Sequence, residues 1–293
     1  MVKYSTFKQS DIINWTYTPT NAQAIAVINE IEAKDGVLLN AQKLIIDKFW
    51  DSIYALNATE SNFFNYGNVA TSKLKLFAAY IGITPPSVYT NWANIAIPGS
   101  DKSVGRSTRT KQGLKVFDVL SYCASGLYGS DVNDDFGHGY YIKELTGDGA
   151  SAGDNLGSHI QSYNEISPNK DNGGKVVFSC NGYSAPNSWP GTIPPDSFVC
   201  CQRNINAVDF YIDGILTESS AVTLSRTGNS FEFAIGIKGT FQCMAIWNKI
   251  SRDTLKSFSL IVKKFVTDIR KIYSNNYDLY TLVNNGTYVP TTS

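Results

Sequence analysis

Apolar and polar residues alternate most clearly in the last third of the chain. DSFVCCQRN, AVDFYIDG, SFEFAIGIKG and TFQCMAIWNKI are four runs with a period close to two, at short and regular spacing, which predicts strands. In NAVDFYIDGILTES the alternation breaks at Asp213-Gly214, a pair that supplies the two positive-φ positions of a tight hairpin turn. In SFEFAIGIKG, Phe231, Phe233, Ile235 and Ile237 share one face, and Glu232, Ala234 and Gly236 share the other. KLKLFAAYIG, GLKVFDVLSYCASGLY and GKVVFSC add earlier strand candidates, the second with a continuous apolar centre that suits a deep position in a sheet. The segments DVNDDFGHG and TGDGASAGDNLGS read as long polar loops.

A period near 3.6 frames this β-rich region on both sides. NAQAIAVINEIEAKDG carries Ile25, Ile28 and Glu32 at helical spacing and stops at Gly36. NAQKLIIDKFWDSIYAL follows, with Asn40 as its cap and Ile45, Phe49, Ile53 and Leu56 on one stripe. These two helices need a partner, either the main domain or a second copy of the chain. Near the C-terminus, Ser251 caps a helix in which Leu255, Phe258, Val262, Phe265, Ile269 and Ile272 recur at steps of three and four. That stripe suits packing on the sandwich or on the N-terminal helices, and an oligomer seam is the alternative. The polar, aromatic tail SNNYDLYTLVNNGTYVPTTS suits an extra edge strand or a contact arm.

The predicted fold is mainly β, an antiparallel jelly-roll sandwich with N-terminal helices and a C-terminal flanking helix. The predicted divisions are an arm with helices for attachment or oligomerisation at 1–60, the sandwich with its closing helix at 61–275, and a tail at 276–293.

Composition narrows the function. The 293 residues are 43% hydrophobic and 13% aromatic, ample for a large core, while only 17% are charged. Basic and acidic residues balance at 25 each, so no nucleic-acid partner is expected. No apolar run approaches a membrane span, and MVKYSTFKQSDIINW lacks an apolar signal core, so neither membrane insertion nor secretion by a standard signal peptide is expected. The five cysteines, Cys123, Cys180, Cys200, Cys201 and Cys243, contain no CxxC pair. Their spacing fits neither a disulfide framework nor a zinc finger, and they read as small core residues of a chain made in a reducing cytosol. In the vicinal pair Cys200-Cys201, a strand sends the two side chains to opposite faces.

Arg203-Asn204, Tyr211-Ile212-Asp213-Gly214, Ile235-Gly236, Ile246-Trp247-Asn248 and the helix opening at Ser251 together resemble the concanavalin A-like, or laminin-G-like, jelly roll. With NAQKLIIDKFWDSIYAL and KLKLFAAYIG upstream, residues 40–270 are similar to virion proteins of tailed bacteriophages that carry this lectin-like domain, of the tail-fibre, head-fibre or receptor-binding type. The resemblance implies a structural or adhesive virion protein that acts by binding, with host surface polysaccharide as a candidate partner. It implies a homo-oligomer in contact with other virion proteins, made in the host cytoplasm. A polysaccharide-degrading module, or an architectural capsid or tail protein without a glycan site, is the alternative.

Candidate chemistry is sparse. Glycanases of this fold take their carboxylates from one strand, in a Glu-x-Asp-x-(x)-Glu run. Here the one Glu-x-acid pair is Glu30-Ile31-Glu32 in the first helix, and Glu218 and Glu232 stand alone. His138 and His159 have no GxSxG elbow or matching local signature beside them, so no catalytic residue is expected. Asp131, Asn133 and Asp135 offer oxygens at alternate positions, which suits calcium or, alternatively, a solvated Asx-rich turn. Tyr140, Tyr141, Tyr183 and Trp189 lie among Gly, Asn and Asp and are the candidate stacking faces for a sugar.

Overall fold

A computed structural model describes residues 16–80, 90–97, 100–101, 107–110, 113–116, 123–146, 156–158, 164–168, 175–180, 188–222 and 232–273. The helices are α1 (Ala22–Asp35), α2 (Asn40–Ala55) and α3 (Arg252–Tyr273). In chain order the strands are β1 (Leu74–Ala79), β2 (Ser100–Asp101), β3 (Ser107–Thr110), β4 (Gly113–Val116), β5 (Cys123–Tyr128), β6 (Phe136–Leu145), β7 (Leu156–Ser158) and β8 (Asn164–Ser167). They continue with β9 (Val176–Cys180), β10 (Ser188–Trp189), β11 (Ser197–Asn204), β12 (Ala207–Ile212), β13 (Ile215–Ala221), β14 (Glu232–Ile235) and β15 (Gly239–Asn248).

The strands form an antiparallel jelly-roll sandwich of two sheets. One runs β13-β12-β11-β6-β15-β4-β3, and the other runs β10-β9-β8-β7-β14-β5-β2. The free edge of β15 is shared: β4 pairs with Gly239–Phe241 and β1 with Cys243–Trp247. Helices α1, α2 and α3 cover the outer face of the first sheet, so the molecule has three layers and two apolar cores.

Period two divides residues between those cores. In β11, Cys200 and Phe198 face the helices, whereas Cys201 and Val199 face the second sheet. The vicinal cysteines therefore point to opposite faces, as their strand position predicts. In β12, Val208 and Phe210 enter the inter-sheet core, where Phe210 stacks on Phe178 at 5.1 Å. The α3 stripe is buried from Leu255 through Ile269. Its rings meet Trp247 from Phe258 at 5.5 Å, and Phe49 and Trp92 from Phe265 at 4.9 and 5.5 Å. This stripe is consumed by packing on α2 and the first sheet, so its face is not open as an oligomer seam.

Local signals hold at the start of α3 and the end of α1 and shift at the start of α2. The Thr254 amide donates to Ser251 Oγ at 3.2 Å, the predicted cap of α3. Gly36 ends α1 at φ 91°. Asn40 is the first residue of α2 rather than its cap, and the Gln42 side chain instead accepts the Leu39 amide at 2.8 Å. The end of the arm is tied down by the buried carboxylate of Asp47, which accepts from the Tyr17 hydroxyl at 2.5 Å and the Asn21 amide at 2.9 Å.

Two sequence expectations change. GLKVFDVLSYCASGLY is not one deep strand: it contributes β4 to the first sheet and β5 to the second. FGHGYY is not loop but the start of β6, the central strand between β11 and β15. Its glycines are dictated by packing. A Cβ on Gly137 would lie 2.5 Å from the Trp247 ring, and one on Gly139 would lie 2.7 Å from Cys200 Cβ and the Phe198 ring. Large rings on neighbouring strands and a bare backbone on β6 fill the same layer.

Candidate functional site

Several strand ends converge at one end of the first sheet. Register pairs the start of β6 with the end of β15 through Phe136 and Asn248, and pairs Leu74 at the start of β1 with Trp247. The turn from β11 to β12, Ile205-Asn206, lies at the same end. Together with the turn at 61–71 they enclose a cleft of about 890 Å³.

The cleft is lined by polar groups. Asn62, Asn133, Asn206 and Asn248 supply amides, Lys73, Lys75, Arg203 and Lys249 supply cations, and Asp134 and Asp135 supply carboxylates. The lining thus holds four cations and two carboxylates, and Glu60 pairs with Lys73 from outside it. Asp135 organises the floor. It accepts the Ile205 amide at 3.2 Å, lies 3.7 Å from both Arg203 Nε and Lys249 Nζ, and offers its carbonyl to the Lys249 amide at 2.9 Å. Asn248 Oδ1 accepts the Asn133 amide at 2.8 Å, locking the loop before β6 to the end of β15. Lys75 Nζ donates to the Ala70 carbonyl at 2.8 Å, and burial lowers its pKa despite the pull of Asp131. Lys73 pairs with Glu60, whose other oxygen accepts the Ser251 amide at 2.8 Å. Burial pushes the Glu60 carboxyl up, but Lys73 and that amide outweigh it and hold the pKa below the usual value.

Two of the expected calcium ligands are engaged by the protein itself. Asp131 Oδ2 accepts its own loop amide at Tyr128, 2.8 Å away, while Asp135 is held by Arg203 and Lys249. Asn133 and Asp135 belong to the cleft as hydrogen-bonding and ion-paired residues.

The expected stacking faces are elsewhere too. Tyr140 is 0% and Tyr141 1% exposed, because β6 is a central strand with both faces covered. Tyr141 donates to the Asp196 carbonyl at 2.9 Å and lies under the Arg270 guanidinium, 5.2 Å from its ring centre. Trp189 is half-buried on β10, packs against Phe210 and over Gly191, and is not part of the cleft. Tyr183 and His159 lie outside the described residues. His138 is fully buried between the sheets, where burial lowers its pKa to about 4 and keeps the ring neutral.

Sequence reasoning missed Asn62, Lys73, Lys75, Asn206 and Lys249 as members of one site. Asn248 and Arg203 were legible only as markers of the fold. The available signal was polar residues at strand termini, but which termini adjoin is set by pairing between distant strands.

No family model matches the chain, and no curated protein matches it by sequence. Among solved structures it is similar to domain 4 of an extracellular arabinanase from Geobacillus stearothermophilus in complex with arabinotriose, at 15% identity and TM-score 0.43, covering 64% of this chain and 98% of that one. It is also similar to a Trypanosoma rangeli sialidase in complex with sialic acid, at 12% identity and TM-score 0.46, covering 76% of this chain and 39% of that one. The binding domain of Paraclostridial Mosquitocidal Protein 1 matches at 11% identity and TM-score 0.41, covering 63% of this chain and 52% of that one. The chain thus spans about two fifths of the sialidase's length.

Proposed function

We propose that the protein is a binding module that holds an anionic saccharide in the cleft at the Asn248 end of the first sheet. One observation carries the reading: four amides and four cations face one cleft in which two carboxylates are the only acids among the described lining residues. Amides match the paired donor and acceptor character of sugar hydroxyls, and Arg203 and Lys249 match a carboxylate or sulfate. No aromatic ring belongs to the described lining, so recognition here rests on hydrogen bonds and charge. Binding without bond cleavage suits this lining, because Asp135, one of its two acids, is ion-paired on two sides.

The sequence resemblance to tailed-phage virion proteins supports a place on the particle, as a fibre, decoration or receptor-binding component. An adhesin of this kind gains strength from repeated weak contacts, so a homo-oligomer bound to other virion proteins belongs to the reading. Binding of the full chain to an array of acidic and neutral polysaccharides tests it. Acidic polymers should be retained, with affinity falling as salt rises and polymer length unchanged. Loss of polymer length would establish the enzymatic alternative, and a blank array at high protein concentration would sink the adhesive reading. Absence of the chain from purified particles would end the virion role.

A further inference from the structure

A second group of chemically capable side chains lies inside the sandwich, away from the cleft. Cys201 on β11 sits directly opposite His138 on β6 in the strand register, and both point into the inter-sheet core. Cys180 reaches the same place from β9 in the facing sheet. His138 Nε2 lies 3.1 Å from Cys201 Sγ, and the donor atoms of all three residues lie within 4.8 Å of one another. Each is fully buried.

Tyr140 supplies an independent observation. It follows His138 by two residues and so faces the same core, and it is 0% exposed. Its hydroxyl has no hydrogen-bond partner among the described residues, and both Cys180 and Cys201 lie within electrostatic range of it. A buried hydroxyl without a partner keeps its full desolvation penalty. Its ring meets that of His138 edge-on, with centres 5.7 Å apart.

We propose that His138, Cys180 and Cys201 bind one zinc ion between the two sheets, with the Tyr140 hydroxyl facing the fourth position. Zinc takes nitrogen at about 2.0 Å and sulfur at about 2.3 Å, so tetrahedral ligands stand about 3.5 Å apart for N and S and about 3.8 Å for two sulfurs. The observed donors need shifts of a few tenths of an ångström to about 1 Å. Charge selects the ion. Two thiolates, a neutral imidazole and a divalent cation sum to zero, which a dry core tolerates, whereas a monovalent copper would leave a net negative charge there. Calcium and magnesium prefer oxygen shells that this core lacks. Binding involves no redox change: each thiol releases one proton to solvent as its sulfur bonds the metal, and the imidazole bonds through Nε2 with its proton on Nδ1. The site is enclosed, so the ion enters as the sheets close during folding.

The test uses the full chain, purified under reducing conditions without chelator. Elemental mass spectrometry should find about one zinc per chain, and refolding with cobalt(II) should give the thiolate charge-transfer and intense visible bands of a tetrahedral site. The Cys180→Ala/Cys201→Ala double variant should lose zinc and both absorptions, while Tyr140→Phe should keep the metal and shift the visible bands. Should the double variant fail to fold, the wild-type chain decides alone: its refolding midpoint should rise with added zinc and not with magnesium. A wild-type chain that purifies without zinc and refolds in cobalt without these bands overturns the site. So does a band retained in the double variant, or a Cys180–Cys201 disulfide found by mass in place of the metal.

Discussion

Arg252, in the first turn of α3, sends two nitrogens to one oxygen of Asp209 on β12, Nη2 at 2.9 Å and Nε at 3.1 Å. The carboxylate is 0% exposed and also accepts from the Asn204 amide at 2.5 Å, the Tyr211 hydroxyl at 3.0 Å and Ser219 Oγ at 2.6 Å. This residue therefore joins the helix layer to three strands. Asp209→Ala removes the shared acceptor of four donors, among them the buried Tyr211 hydroxyl, and should cost about 1–3 kcal/mol. Arg252→Ala should cost about 1 kcal/mol, because the guanidinium is 59% exposed and water screens it. Urea unfolding of both variants checks the order, and equal losses would show that the arginine carries the clamp.

The turn between β12 and β13 has two requirements that separate by mutation. Asp213 and Gly214 sit at φ 51° and 77°, and a Cβ on Gly214 would lie 2.9 Å from Lys256 Cα of α3. Gly214→Ala should cost at least about 1–2 kcal/mol from the left-handed backbone alone, with displacement of the helix added. Asp213→Asn tolerates the same backbone and loses only the ion pair to Lys263, so it should cost under about 1 kcal/mol. Thermal melts of the two variants should differ clearly.

In β6, Gly137→Ala drives a methyl into the Trp247 ring. Overpacking of this kind costs about 1–3 kcal/mol, and the indole must tilt to make room. The expected result is a lower unfolding midpoint together with a changed near-UV signal from tryptophan. An unchanged spectrum would mean that the strands, rather than the ring, yield.

Glu60 links the cleft wall to the cap of α3, and its acid response has a definite sign. Its folded pKa lies below the usual 4.5, so between the two values the unfolded chain binds the proton and the folded chain does not. The stabilisation is complete above pH 4.5 and is lost as pH falls through the lower folded value. Glu60→Gln should be less stable at neutral pH and should lose less on acidification, measured as melting temperature against pH.

Saccharide binding should follow the cleft and ignore the buried tyrosines. Lys249→Ala and Asn248→Ala each remove a lining group and should weaken binding roughly 10-fold, the effect of one or two lost hydrogen bonds. Tyr141→Phe should leave affinity unchanged and cost about 1 kcal/mol of stability, because its hydroxyl serves the Asp196 carbonyl. Titration calorimetry with an acidic oligosaccharide distinguishes the two classes.

Local pattern determined much of this protein. Alternation from Ala207 to Ile212 and the Leu255–Ile269 stripe state which face is apolar, the Asp213-Gly214 turn and the Ser251 cap state where an element ends or begins, and each holds in the structure. Only the tertiary structure decided that Gly137 and Gly139 belong to a central strand, because their bareness answers Trp247 and Phe198 rather than any sequence neighbour. It also decided that Tyr140 and Tyr141 are core, and that Asn62, Lys75, Arg203 and Lys249 share a cleft. His138, Cys180 and Cys201 meet for the same reason. Side-chain periodicity is a property of a few consecutive residues, whereas adjacency is set by strand pairing and sheet stacking between segments far apart in the chain, which no local spacing records.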